Sequence, residues 1–169
     1  VASGEGTVVA SGIEGAQGSS HDDSLTGGPG PNLLVGGDGA DLVAGGLGTD
    51  TMQGGAGVDA VTFAAAANAV AVNLSSQGAT GQGPDSVTGF EVVIGSAFDD
   101  FLVGSGDGDR LLGGDGADQL AGLAGPDRIF GQVGDDTLDG GPGNDELDGG
   151  AGSNTCTSGG GTDTFANCS

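Results

Sequence analysis

The 169-residue sequence has no lysine, tryptophan or tyrosine, one histidine, two cysteines and, as its only basic side chains, Arg110 and Arg128. Each absence removes a class of function. Phosphate backbones are held by clustered Lys and Arg, so nucleic acid is excluded as a partner. A P-loop needs lysine, and neither GxGxxG nor GxSxG occurs, which leaves nucleotide binding and serine-hydrolase chemistry without support. His21 has no identifiable catalytic partner and reads as a turn residue; one His and two cysteines cannot assemble a tetrahedral zinc centre. No stretch approaches the ~20 apolar residues of a membrane span, and the first residues show no basic-then-apolar leader. The chain reads as a non-enzyme without a membrane span.

What is abundant points to a cation. The sequence holds 41 glycines, 24 acidic residues and only six aromatic ones, for a formal charge of -22. Such a charge opposes compaction unless positive ions neutralise it. Composition of this kind also fits a disordered chain, because little apolar surface is available to offset ordering entropy. Periodicity decides between the two.

The sequence repeats every nine residues in two blocks. Five units span 18–62: GSSHDDSLT, GGPGPNLLV, GGDGADLVA, GGLGTDTMQ and GGAGVDAVT. Eight units span 95–166: GSAFDDFLV, GSGDGDRLL, GGDGADQLA, GLAGPDRIF, GQVGDDTLD, GGPGNDELD, GGAGSNTCT and SGGGTDTFA. The eighth position is apolar throughout: Leu25, Leu34, Val43, Met52, Val61, Leu102, Leu111, Leu120, Ile129, Leu138, Leu147, Cys156 and Phe165. Chance would supply about four or five apolar residues there, so the ladder is expected to face inward. Position six is a carboxylate in eleven units, at Asp23, Asp41, Asp50, Asp59, Asp100, Asp109, Asp118, Asp127, Asp136, Asp145 and Asp163. It is an amide in the other two, Asn32 and Asn154. An Asp can serve as a turn-former that bonds its own backbone. Recurrence every nine residues asks for more than turn chemistry.

The pattern GGxGxDxUx, with U apolar, resembles the nonapeptide of the repeats-in-toxin (RTX) family, a calcium-binding parallel β-helix repeat. The resemblance implies that the first six residues of each unit form a metal-binding turn, the last three a short strand, and two units one coil of eighteen residues. The implied fold is all-β, a right-handed parallel β-roll with short strands stacked in two parallel sheets. The residues agree with that reading independently. Glycine permits positive φ angles and close backbone approach, so carbonyls of turns such as Gly37, Gly39, Gly46, Gly48, Gly114, Gly116, Gly141 and Gly143 can point at one centre. Aspartate adds charged oxygen, and Ca²⁺ takes six to eight hard oxygen ligands.

Stacked turns come from units two apart, so each metal is expected between position-six residues eighteen apart. The pairs are Asp23 with Asp41, Asn32 with Asp50, Asp41 with Asp59, Asp100 with Asp118, Asp109 with Asp127, Asp118 with Asp136, Asp127 with Asp145, Asp136 with Asn154, and Asp145 with Asp163. About nine calcium ions would bring the charge to about -4. The Asn32 and Asn154 sites lose an anionic ligand and are expected to be weaker or empty. His21, Phe98 and Asp107 at position four, and Leu123 and Gln132 at position two, replace glycine and are expected to distort their turns.

Between the blocks, Val70, Val72 and Leu74 alternate and a strand-like run covers 86–94, which predicts wider coils continuing the roll. Gly4, Gly6, Gly12 and Glu14 recur 77 residues later as Gly81, Gly83, Gly89 and Glu91, so the chain is expected to start inside a longer superrepeat, with room for an upstream domain in a larger parent. The whole is expected to be one continuous roll: a linker tail at 1–17, repeats at 18–62, linker coils at 63–94, repeats at 95–166, and a cap at 167–169. Cys156 and Cys168 read as a terminal disulfide of an exported protein, the alternative being two reduced thiols. The leading functional expectation is a secreted calcium-binding module that folds on binding Ca²⁺. The alternatives are an accessory domain of a secreted hydrolase, toxin or adhesin, and an ice-binding or adhesive solenoid; outward positions as mixed as Leu33, Gln53, Arg110 and Glu146 disfavour the last.

Overall fold

The computed structural model describes residues 14–169 and the backbone of two earlier strands, Ala2–Ser3 and Thr7–Val9. The superrepeat glycines Gly4, Gly6 and Gly12 lie outside the described residues. All regular structure among the described residues is strand, numbered β1–β20 in chain order. No helix there is long and apolar enough to cross a membrane.

The chain winds back and forth between two sheets. One has eleven strands, in the order β1 (Ala2–Ser3), β3 (Gly15–Gln17), β5 (Leu33–Asp38), β7 (Thr51–Ala56), β11 (Asp85–Thr88), β10 (Gly78–Thr80), β9 (Ala71–Asn73), β13 (Phe101–Val103), β15 (Gln119–Ala121), β17 (Thr137–Asp139) and β19 (Thr155–Thr157). The other has nine, in the order β2 (Thr7–Val9), β4 (Ser24–Thr26), β6 (Leu42–Ala44), β8 (Ala60–Thr62), β12 (Val92–Ile94), β14 (Arg110–Asp115), β16 (Arg128–Val133), β18 (Glu146–Asp148) and β20 (Thr164–Ala166). Within the repeat blocks the pairing is parallel with a register of eighteen, as in Leu34 opposite Met52 and Leu111 opposite Ile129.

A three-residue strand works here because only its middle residue must point inward. That residue is position eight of the unit. From Leu25 to Leu147 every position-eight side chain is buried, forming one continuous apolar stack. The last two differ from expectation: Cys156 packs only partly against the core, and Phe165 is 50% exposed. Phe165 lies on β20, the final strand of its sheet, with a neighbouring rung on one side only.

The segment between the blocks departs from a purely parallel roll. Strand β10 runs antiparallel to both β9 and β11. A tight turn reverses the chain after β9, where the Ser76 amide donates to Asn73 Oδ1 at 2.7 Å and Gln77 takes a positive φ of 61°. The other sheet carries no such insertion, since β8 pairs directly with β12 through Val61 opposite Val93. The core continues through this seam with Phe63, Val70, Val72, Leu74, Val87 and Phe90, all buried.

Candidate metal centre

The turn of each unit is shaped by its own aspartate. A methyl group added to Gly36, position one of its unit, would collide with Asp41 Oδ2 and with the Gly54 carbonyl oxygen of the next rung. The same convergence recurs at Gly54, with Asp59 Oδ2 and the Gly89 carbonyl, and at Gly131, with Asp136 Oδ2 and the Gly149 carbonyl. Only glycine leaves that space open. In eight of the thirteen turns position two adopts a left-handed φ, for example 125° at Gly37 and 122° at Gly114. Leu123 and Gln132, expected to distort their turns, keep the same conformation with φ of 82° and 79°. The turn geometry therefore survives, at a strain of roughly 1–3 kcal/mol per residue.

All nine aspartate and asparagine pairs anticipated at a spacing of eighteen are brought together. In each, the later side chain reaches back to the earlier backbone: Asp41 Oδ1 accepts from the Asp23 amide, Asp50 from Asn32, and Asp59 from Asp41, each at 2.8 Å. In the second block Asp118, Asp127, Asp136, Asp145, Asn154 and Asp163 accept likewise from Asp100, Asp109, Asp118, Asp127, Asp136 and Asp145. This ladder uses one oxygen of each carboxylate.

The remaining side-chain contacts separate eleven of the thirteen turns into two kinds. In seven of them, at Asp41, Asp50, Asp59, Asp118, Asp127, Asp136 and Asp145, Oδ2 is buried and has no hydrogen-bond partner. A buried charged oxygen without a partner is costly, and such groups are retained where something pairs with them or where they neutralise. Burial pushes the Asp118 carboxyl up to about 7 and that of Asp127 up to about 6, with flanking aspartates adding repulsion. Burial likewise raises Asp41, Asp50, Asp59 and Asp136 above the usual carboxylate range.

In the other kind a side-chain oxygen already holds a donor from within its own turn. Asp23 Oδ2 accepts from the amide and hydroxyl of Ser19, the hydroxyl at 2.9 Å. Asp109 Oδ2 accepts from the amide and hydroxyl of Ser105, the latter at 2.8 Å. Asp100 accepts from the Ser96 amide on Oδ2 and from its hydroxyl on Oδ1. Asn32 Oδ1 accepts from the Gly28 amide at 2.8 Å. In each case the donor is position two, whose φ is not left-handed in these four turns.

Five participants were missed by the nine-residue reading: Asp85, Glu91 and the serines Ser19, Ser96 and Ser105. Asp85 Oδ1 accepts from the Asp50 amide at 2.9 Å, 35 residues away, and Asp85 is buried with its carboxyl raised by burial. Glu91 Oε2 accepts from the Asp59 amide at 2.9 Å, 32 residues away. The signal for the first was present: residues 80–88, TGQGPDSVT, are a nonapeptide with threonine in position one, and Gly81 and Gly83 have the positive φ of regular turns. Glu91 sits in a shortened unit whose glutamate supplies the reach. The serines were visible as substitutions but not as carboxylate partners.

Outside the carboxylate rows, position five forms a second, exposed ladder: Asp22, Asp99, Asp135 and Asn144 each accept from a backbone amide eighteen residues on. Cys156 and Cys168 are disulfide-bonded. The outward column Arg110, Arg128 and Glu146 is in register, with Arg128 Nε 3.2 Å from Glu146 Oε2 and Arg110 over the Phe130 ring at 5.4 Å. That pair is exposed and worth about 0–1 kcal/mol.

No group of three His, Cys, Asp or Glu converges among the described residues. The oxygens that each interval could offer a cation are those of two acidic or amide side chains and of nearby main-chain carbonyls. Oxygen-only ligation of this kind suits a hard cation of calcium type and offers nothing to soft metals. No curated protein matches the chain. A family model, that of the RTX calcium-binding nonapeptide repeat, matches in overlapping stretches that cover residues 17–65 and 85–165.

Proposed function

The chain belongs to the family of RTX calcium-binding nonapeptide repeats, and from that premise we propose that it is a secreted module that folds when it binds Ca²⁺, with the position-six residues and turn carbonyls as its ligands. The observation that carries this reading is the set of seven buried Oδ2 atoms without partners. Calcium bound there would supply the positive charge that neither arginine provides, both being spent on the outer face. The chain's own residues do the rest. Position-one glycines hold room beside the carboxylate, the left-handed residue at position two redirects the backbone, and the Oδ1 ladder fixes the rung spacing.

Without cations, the charge of -22 and the backbone entropy of 41 glycines oppose the roll, so binding and folding are linked. A low-calcium compartment would keep the chain extended and a calcium-rich one would compact it. The disulfide supports an oxidising, extracellular setting. The role is structural rather than catalytic. Far-UV circular dichroism in EGTA, followed by excess Ca²⁺, tests the reading. Conversion from a coil-like to a strand spectrum is expected, and a spectrum indifferent to calcium defeats it.

A further inference from the structure

We propose that four turns, those ending at Asp23, Asn32, Asp100 and Asp109, are cation-free caps in which a position-two amide takes the place of calcium, so that ions occupy only the intervals that follow the seven open turns. This rests on the calcium reading above and goes beyond it by assigning which turns bind. The four closed turns are not scattered. Each is the first nonapeptide of its row: Asp23 and Asn32 open the two rows of the first block, Asp100 and Asp109 those of the second. The rung beneath each is not a regular nonapeptide, since β3 underlies Asn32 and β9 and β12 underlie Asp100 and Asp109.

The closure is chemical. In an open turn the position-two residue is left-handed, and the Oδ2 atom is buried without a donor. In a closed turn the peptide before position two is turned so that its N–H meets the same side chain, and in three of the four a serine hydroxyl adds a second donor. The serine also accepts from the position-four amide, at 3.2 Å in all three, from His21, Phe98 and Asp107. Glycine is absent from position four in those units because this hydrogen-bonded turn does not use the left-handed backbone found there in six of the seven open turns. In a closed turn a donor hydrogen on the side-chain oxygen stands where the ion would be, and its positive end repels a cation there. Asp109 keeps one unpartnered oxygen, Oδ1. In Asp100 the same atom accepts from Val70 of the rung beneath, so at Asp109 it belongs to the seam and not to the next interval.

The open intervals are then Asp41 to Asp59, Asp50 to Asp85, Asp59 to Glu91, Asp118 to Asp136, Asp127 to Asp145, Asp136 to Asn154 and Asp145 to Asp163. Asn154 closes the far end of its row: its amide nitrogen donates to the Gly150 and Asn167 carbonyls, while its Oδ1 performs the same backbone task as an aspartate.

Native mass spectrometry of the oxidised full chain in Ca²⁺, counting bound ions, tests the assignment. Asp118→Asn is expected to lose one ion relative to the parent and Asp100→Asn none, with strand circular dichroism retained. The double substitution Ser96→Gly with Phe98→Gly, which restores an open-type turn, is expected to gain one. Ser19→Gly with His21→Gly provides the same gain in the other block should the first variant fold poorly. Loss of an ion in Asp100→Asn, or no gain in either double variant, overturns the caps while leaving calcium-driven folding standing. A parent that binds no calcium overturns both.

Discussion

From Gly113 to Asp145 every rung repeats its predecessor eighteen residues on, and its side-chain order depends on carboxylates facing carbonyls; from Phe63 to Ile94 the rungs differ in length, one strand is reversed, and phenylalanine and valine fill the centre. Both regions continue the same two sheets. None of the seven unpartnered Oδ2 atoms lies in the seam. Under the calcium reading proposed above, the two regions hold a parallel ladder together in different ways, by cation bridging at the bends and by apolar packing between the sheets. The regular blocks have thin cores of position-eight side chains; the seam buries Phe63 and Phe90.

The largest expected effect that would break this distinction is in the seam. Phe90→Ala should destabilise the calcium-loaded chain by about 3–5 kcal/mol through lost burial and a residual cavity. Urea unfolding in saturating calcium measures it, and a loss no larger than that of a surface substitution would mean that the seam does not carry its own core. Next comes the C-terminal rung. Replacing both cysteines by serine should cost roughly 2–3 kcal/mol, from the entropy of a loop closed over twelve residues. Hydrogen exchange should localise that loss to β19 and β20, because rungs interact chiefly with their neighbours.

Acidity sharpens the comparison from another side. The carboxyls of Asp118, at about 7, and Asp127, at about 6, are raised in the folded chain above their unfolded value. The folded state therefore binds more protons, and the stability this confers is fully present below the unfolded pKa near 4 and lost as pH rises through about 6–7. In EGTA, strand content should be higher at pH 5 than at pH 8; in calcium the order should reverse, since protons compete with the ion. Circular dichroism at the two pH values checks both signs. The smallest effect is at Leu123. Its left-handed φ of 82° should relax in Leu123→Gly, stabilising by at most about 1 kcal/mol once the added flexibility of the unfolded chain is deducted.

Much of this architecture could be read from the residues. Apolar side chains at position eight located the core from Leu25 to Leu147, and aspartate at position six located the carboxylate ladder with its spacing of eighteen. Phe165 was misplaced because periodicity carries no information about which rung is last in a sheet. Asp85 and Glu91 escaped because their partners lie 35 and 32 residues away, distances set by an inserted strand and not by the repeat. The serines escaped for a different reason. Ser19, Ser96 and Ser105 look like tolerated replacements of a small residue until their N–H and O–H groups are seen on a carboxylate.

Within the repeat blocks the register of eighteen decides how such a chain can change length. Duplicating or deleting one full coil returns every later residue to the same sheet and the same face, so the outer column of Arg110, Arg128 and Glu146 would simply gain or lose a member. A change of nine residues preserves which side chains point inward but sends each later strand to the opposite sheet. The strand carrying Cys156 and the strand carrying Phe165 would then trade sheets. Growth by pairs of units is neutral; growth by single units rewrites the surface.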